Sequence, residues 1–193
     1  MQVGAIAIFF YVGIEVGIPN TANVYFSGLP DIGPALAGSF VGAYWFCMLI
    51  GRLIGSAIGG KVSSKTMLAV TSTVAIIFLL LVMFLPKSIQ VTVFDKVIPI
   101  SMLFMFLCGL CTSVMWGSIF NLAAEGLGKY TAPASGVFMT LVCGGGIIPF
   151  FCGMLAKSVG YLQSYWILVA CLLFLVFYAL VGSKNVNKDI PVD

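Results

Sequence analysis

The sequence predicts an all-α integral membrane protein of six transmembrane helices, paired as a 3+3 repeat. Three observations predict it. Of 193 residues, 61% are hydrophobic and only 8% are charged, whereas a soluble domain carries about a quarter charged residues. Mean hydropathy is +1.16, and a chain of this size folded in water would still expose about 30% of its unfolded surface, with too few polar groups to cover it. Finally, the charges stand singly between apolar runs, each long enough to cross hydrocarbon, which takes about 20 residues of helix.

The runs cover about 1–26, 34–60, 67–85, 97–124, 131–156 and 165–182 and form one transmembrane unit over 1–183, followed by a tail at 184–193. The first holds one charge, Glu15, and the polar Asn20 and Asn23; Met1 and Gln2 supply no positive start, so it is not read as a cleaved leader. The second also holds one charge, Arg52. The third is a plain lipid-facing stretch. The fourth and fifth are uncharged and rich in Gly, Ser and Thr, and the sixth is again lipid-facing. Turn residues separate them, as in Ser27-Gly28-Leu29-Pro30-Asp31, Pro86-Lys87-Ser88 and Gly126-Leu127-Gly128-Lys129. Short connections force antiparallel neighbours.

Basic residues near helix ends are retained in the cytoplasm. Arg52, Lys61, Lys65, Lys129, Lys184 and Lys188 fall on one side, and Lys87, Lys96 and Lys157 on the other. Both termini are therefore expected in the cytoplasm, with the chain multi-pass in the inner (plasma) membrane and the tail cytoplasmic.

The composition also prunes functions. The net charge of +3 is scattered, without a basic patch for nucleic acid. The chain has no histidine, which removes Ser-His and zinc intramembrane proteases. Its six cysteines lie inside apolar runs, where they act as small hydrophobes. Cys108 and Cys111 form a C-x-x-C without a second pair, so no metal is expected. No enzyme activity and no cofactor are expected.

Sliding the second half over the first at an offset of 94 brings Gly42 onto Gly136, Gly51 onto Gly145, Gly59 onto Gly153 and Tyr44 onto Phe138. With 22 glycines, coincidence is one reading. The other is that runs one to three and four to six are related units with a substrate path between helices. Gly51, Gly55 and Gly59 also recur along one face of the second run. They form a packing stripe first, and a surface for rocking against a partner helix second.

An ionisable group at membrane depth costs about 2.5–3.5 kcal/mol and normally faces a bundle interior or a wet cavity. Glu15 is the one acid well inside a run. It lies four residues before Pro19, whose missing N–H leaves the Glu15 carbonyl without its helical donor. Tyr11, Glu15, Pro19 and Asn23 share a helical face. Carboxylates, amides and an aromatic platform are what a ring of hydroxyls with an apolar face requires. Glu15, Asn20, Asn23, Tyr44, Trp116 and Asn121 provide them. Two alternatives stand beside this: Glu15 hydrogen-bonds a neighbouring helix, and Trp116 sits at the membrane interface. Arg52 either snorkels to the cytoplasmic face or pairs with an acid or a helix end at a gate.

Gly51-Arg52-Leu53-Ile54-Gly55 and the following Gly60-Lys61-Val62-Ser63-Ser64-Lys65 resemble the eighth helix and next loop of major facilitator superfamily transporters. In that loop Gly60 stands where an Asp is usual and Lys61 where an Arg is usual, which weakens a charge-relay gate there. Tyr11-Val12-Gly13-Ile14-Glu15, Ser118-Ile119-Phe120-Asn121-Leu122, Gly126-Leu127-Gly128 with Thr131, and Gly144-Gly145-Gly146-Ile147-Ile148-Pro149 are similar to the C-terminal half of the fucose permease and glucose/galactose transporter branch. Trp116-Gly117-Ser118 departs from it, keeping the aromatic but not the usual proline.

The resemblance implies one lobe of a major facilitator fold, walling a sugar cavity and serving proton-coupled hexose symport by alternating access. The proton is the implied coupling ion. Arg52, Gly51, Gly55, Gly145 and Pro149 are the implied gating and helix-packing positions. A lobe alone would leave polar groups facing lipid, so the expected partners are the bilayer, a sugar, and a missing N-terminal six-helix lobe or a second chain. The alternatives are a half-size transporter acting as a dimer and a non-transporting scaffold or channel subunit.

Overall fold

A computed structural model describes residues 2–30, 32–85, 89–93 and 96–183. Residues 86–88, 94–95 and 184–193, Met1 and Asp31 lie outside the described residues, and with them Lys87, Lys184 and Lys188 of the charge asymmetry.

Six helical segments are long and apolar enough to cross a bilayer, and the chain is an integral multi-pass membrane protein. The first three spans are single helices: α1 (Gln2–Ser27), α2 (Gly33–Ile58) and α3 (Ser64–Phe84). Gly33 takes a left-handed φ of 68° just before Pro34, and the proline suits a first helical turn, where its missing N–H costs nothing. Ser63 caps α3 by accepting from the Thr66 N–H at 3.2 Å.

The fourth span begins at Ile100 rather than 97. Lys96–Pro99 pairs antiparallel with Gln90–Val93 as β2 and β1, from Gln90 opposite Pro99 to Val93 opposite Lys96. The consecutive β-branched residues of Gln90-Val91-Thr92-Val93 favour a strand, whereas Val97 and Ile98 read in sequence as part of the following apolar run.

Spans four to six are interrupted. Span four is α4 (Ile100–Thr112) and α5 (Met115–Ala124), parted at Ser113 and Val114. Span five is α6 (Thr131–Thr140), a 3₁₀ turn at Leu141–Cys143, and α7 (Gly144–Val159), which ends at Gly160 with φ 93°. Span six is α8 (Trp166–Phe177), passing into a π turn at Tyr178–Gly182.

The packing follows the expected 3+3 repeat. Span one lies against five as four lies against two, and span three against four as six against one. Of the glycine correspondences, Gly51 and Gly145 occupy equivalent close approaches. A Cβ on Gly51 would run into Ser113 of span four, and one on Gly145 would come within 2.9 Å of Val12 of span one. Gly42, Gly136 and Gly153 meet no neighbouring helix, so their alignment has no packing cause.

Helix α1 is the axle of the bundle. Its most apolar window is 61% buried, against 22% for α2 and 28% for span five. Gly13 and Gly144 let it approach span five, where a Cβ on Gly144 would collide with the Phe9 backbone. The bundle thus delivers the one deep carboxylate to its centre.

Candidate functional site

Glu15 sits halfway along α1 with its side chain 13% exposed, and its Oε1 accepts from the Arg52 guanidinium at 3.2 Å. Of the two roles open to Arg52, the structure displays pairing with an acid, although the arginine side chain remains 56% exposed. Arg52 also lines a groove of about 330 Å³ between α2, α3 and the break in span four. Gly55, Gly59, Ser113, Ser118 and Asn121 complete much of that wall. Gly51 and Gly55 approach the break itself: a Cβ on Gly55 would strike Val114.

Pro19 does not end α1. The carbonyl it frees on Glu15 accepts instead from the Tyr44 hydroxyl at 3.1 Å. That hydroxyl lies 3.1 Å from Thr112 Oγ1 as well. Tyr44 is 2% exposed, so in this conformation its polar group is spent inside the bundle. Tyr165 buttresses the same region from the other side, donating to the Ile18 carbonyl at 2.9 Å.

Trp116 is half-buried, with its ring 5.9 Å from the ring of Tyr11. Tyr11 is fully buried, one helical turn before Glu15. Tyr11 was not among the candidate site residues, although its place one helical turn before Glu15 was the available signal. The site is therefore a carboxylate–guanidinium pair beside an aromatic couple.

Asn20 and Asn23 do not converge on it, whereas Asn121 shares the groove wall with Arg52. Asn20 is exposed and Asn23 half-buried near the Ser27 end of α1. Asn121 lies at the opposite end of the bundle, where its amide donates to Ser64 Oγ at 3.5 Å. Glu15 and Arg52 fall between. Pro149 is buried in α7, one turn beyond Gly145. Among the described residues, no three His, Cys, Asp or Glu side chains gather as a metal site.

The chain has the fold of one six-helix lobe of a major facilitator transporter. It superposes on the major facilitator transporter FucP in its outward conformation with a TM-score of 0.83, 20% identity, and coverage of 95% of this chain and 42% of that one. The E. coli fucose:proton symporter FucP gives 0.84, again at 20% identity, with 95% and 43% covered.

In sequence, the chain is similar to glucose/galactose transporters. It is 31% identical over 187 residues to the glucose/galactose transporter of Brucella abortus biovar 1 (strain 9-941), covering 96% of this chain and 43% of that protein. The Brucella abortus (strain 2308) protein of the same name matches equally. No family model matches the chain. The chain thus spans a little over two fifths of the curated relatives it matches. All these proteins are named as transporters rather than enzymes.

Proposed function

We propose that the chain is the C-terminal lobe of a proton-coupled hexose transporter and forms one wall of the sugar path. The observation that carries this reading is the Glu15–Arg52 pair at 3.2 Å, set beside the Tyr11–Trp116 rings and next to a groove of about 330 Å³. That volume is at the lower end of small-ligand sites. The names of its relatives support the substrate class.

In this mechanism a sugar hydroxyl competes with Arg52 for the Glu15 carboxylate, while the Trp116 face receives the apolar side of the ring. Asn20 and Asn23 serve the path toward one membrane face, and Asn121 toward the other. Protonation of Glu15 would dissolve its pair with Arg52 and link the proton to lobe movement. The partner is a second six-helix lobe, which rocks against the poorly buried α2 and span five. Gly51, Gly55, Gly145 and Pro149 keep the helices close enough to move as a body. The termini face the cytoplasm across the inner membrane.

The test is uptake of labelled glucose, galactose and fucose by cells producing this chain joined to a glucose/galactose transporter N-terminal lobe. Uptake should fall at least tenfold in the Glu15→Gln form at equal membrane abundance. Unchanged hexose uptake and binding in that variant would remove Glu15 from the site.

A further inference from the structure

We infer that Tyr44 is a positioning residue for Glu15: its hydroxyl replaces the N–H that Pro19 lacks, and so fixes where the Glu15 carboxylate stands. The inference rests on the reading of Glu15 as the working carboxylate of the lobe.

The argument starts from the backbone. In a helix the carbonyl of residue 15 accepts from the N–H of residue 19, and proline has none. At membrane depth an unsatisfied carbonyl is costly. The carbonyl can only accept, so the Tyr44 proton goes to it across 3.1 Å. The Tyr44 oxygen can then accept from Thr112 Oγ1, also at 3.1 Å, in competition with the Cys108 and Gly109 carbonyls at 3.2 Å. One hydroxyl relay thereby crosses α4, α2 and α1.

Tyr44 is held in place to do this. Its backbone is pressed against α4, where a Cβ on Gly109 would sit 2.5 Å from the Tyr44 carbonyl oxygen. Arg52 follows eight residues later on the same helix, so it lies two turns on along a similar face. A single helix, α2, therefore grips both ends of one residue: Tyr44 holds the Glu15 main chain and Arg52 its side chain. Tyr165 differs in kind. The Ile18 carbonyl it meets has an ordinary donor available in the N–H of Ala22, so Tyr165 adds a bond where Tyr44 replaces a missing one.

The experiment uses the full chain in detergent and a membrane-soluble carbodiimide, which modifies protonated carboxyls, with Glu15→Gln as the blank. Losing its fixed position changes both the solvation of the Glu15 carboxyl and its distance from the Arg52 cation, so its labelling changes. Tyr44→Phe should shift the labelling profile, read as a change of roughly severalfold in labelling at a fixed pH on the slope. In a Pro19→Ala background, which restores the N–H, Tyr44→Phe should move the profile little. Thr112→Val should shift it in the same direction by less, and it carries the test if Tyr44→Phe fails to accumulate. Tyr165→Phe should show no coupling to Pro19→Ala.

Identical profiles for wild type, Tyr44→Phe and Thr112→Val would overturn the inference, as would an undiminished Tyr44→Phe shift in the Pro19→Ala background. The assay contains no sugar. Its failure would leave the hexose reading standing, whereas failure of the uptake test would leave Tyr44 positioning Glu15 but strip that positioning of a role in transport.

Discussion

Removing Arg52 should harm the chain more than neutralising Glu15, and the second change should rescue the first. The pair is asymmetric, with the glutamate side chain 13% exposed and the arginine 56% exposed at a contact of 3.2 Å. A hydrogen bond to a charged group contributes about 1.5–3 kcal/mol, but the arginine's exposure pulls the value toward the surface range of about 0–1. Arg52→Ala therefore costs about 1–2 kcal/mol, because it leaves a largely buried carboxylate that must protonate or move. Glu15→Gln costs about 0.5 kcal/mol or less, since Arg52 can turn its head to water. The double variant has no stranded charge and should resemble Glu15→Gln.

On a scale of about 2–4 °C per kcal/mol for a chain of this length, Arg52→Ala falls by several degrees and the double variant regains most of them. A thiol-reactive fluorogenic dye during heating reads this. Cys108, Cys111, Cys152 and Cys171 are buried reporters, and the exposed Cys143 is first replaced by alanine. A double variant less stable than Arg52→Ala, or a Glu15→Gln loss exceeding that of Arg52→Ala, would refute the reasoning.

Two further outcomes follow from packing and orientation. Gly144→Ala forces a Cβ into the Phe9 backbone and should cost about 1–3 kcal/mol by overpacking, whereas Gly146→Ala, which meets nothing within 4 Å, should be neutral or slightly stabilising; the same dye assay separates them. In intact cells an impermeant maleimide should modify a cysteine placed at Lys157 and spare one placed at Lys61, and the reverse pattern would invert the proposed topology.

Much of the architecture was legible because hydrocarbon imposes a simple rule on length and charge. The six apolar runs and the isolation of Glu15 needed no tertiary knowledge. The Pro19 spacing likewise announced a freed carbonyl, since that is a local property of the backbone. Its donor was not legible, because Tyr44 lies 29 residues away and only the rotation of α2 about α1 brings it there. The same rotation sets the Arg52 guanidinium against Glu15.

The sequence grouped Asn20 and Asn121 with Glu15 by chemistry alone, and Asn23 by a shared helical face as well. Depth along the helices separates them, as the Ser64 contact of Asn121 shows. The strand at Lys96–Pro99 was hidden for another reason: a short apolar stretch leading into a helix carries no period that distinguishes strand from helix. The breaks at Ser113 and at Leu141–Cys143 fall in uncharged, small-residue sequence without an internal proline at the break to mark them.

The most direct measurement places a cysteine at position 15 and another at Val70, on the exposed face of α3, in a chain without Cys47 and Cys143, and compares a water-soluble thiosulfonate with a lipid-soluble maleimide in proteoliposomes. The account predicts that the residue-15 thiol reacts with the water-soluble reagent while the residue-70 thiol reacts only with the lipid-soluble one. A residue-15 thiol that responds solely to the lipid-soluble reagent would contradict a carboxylate turned toward a wet interior.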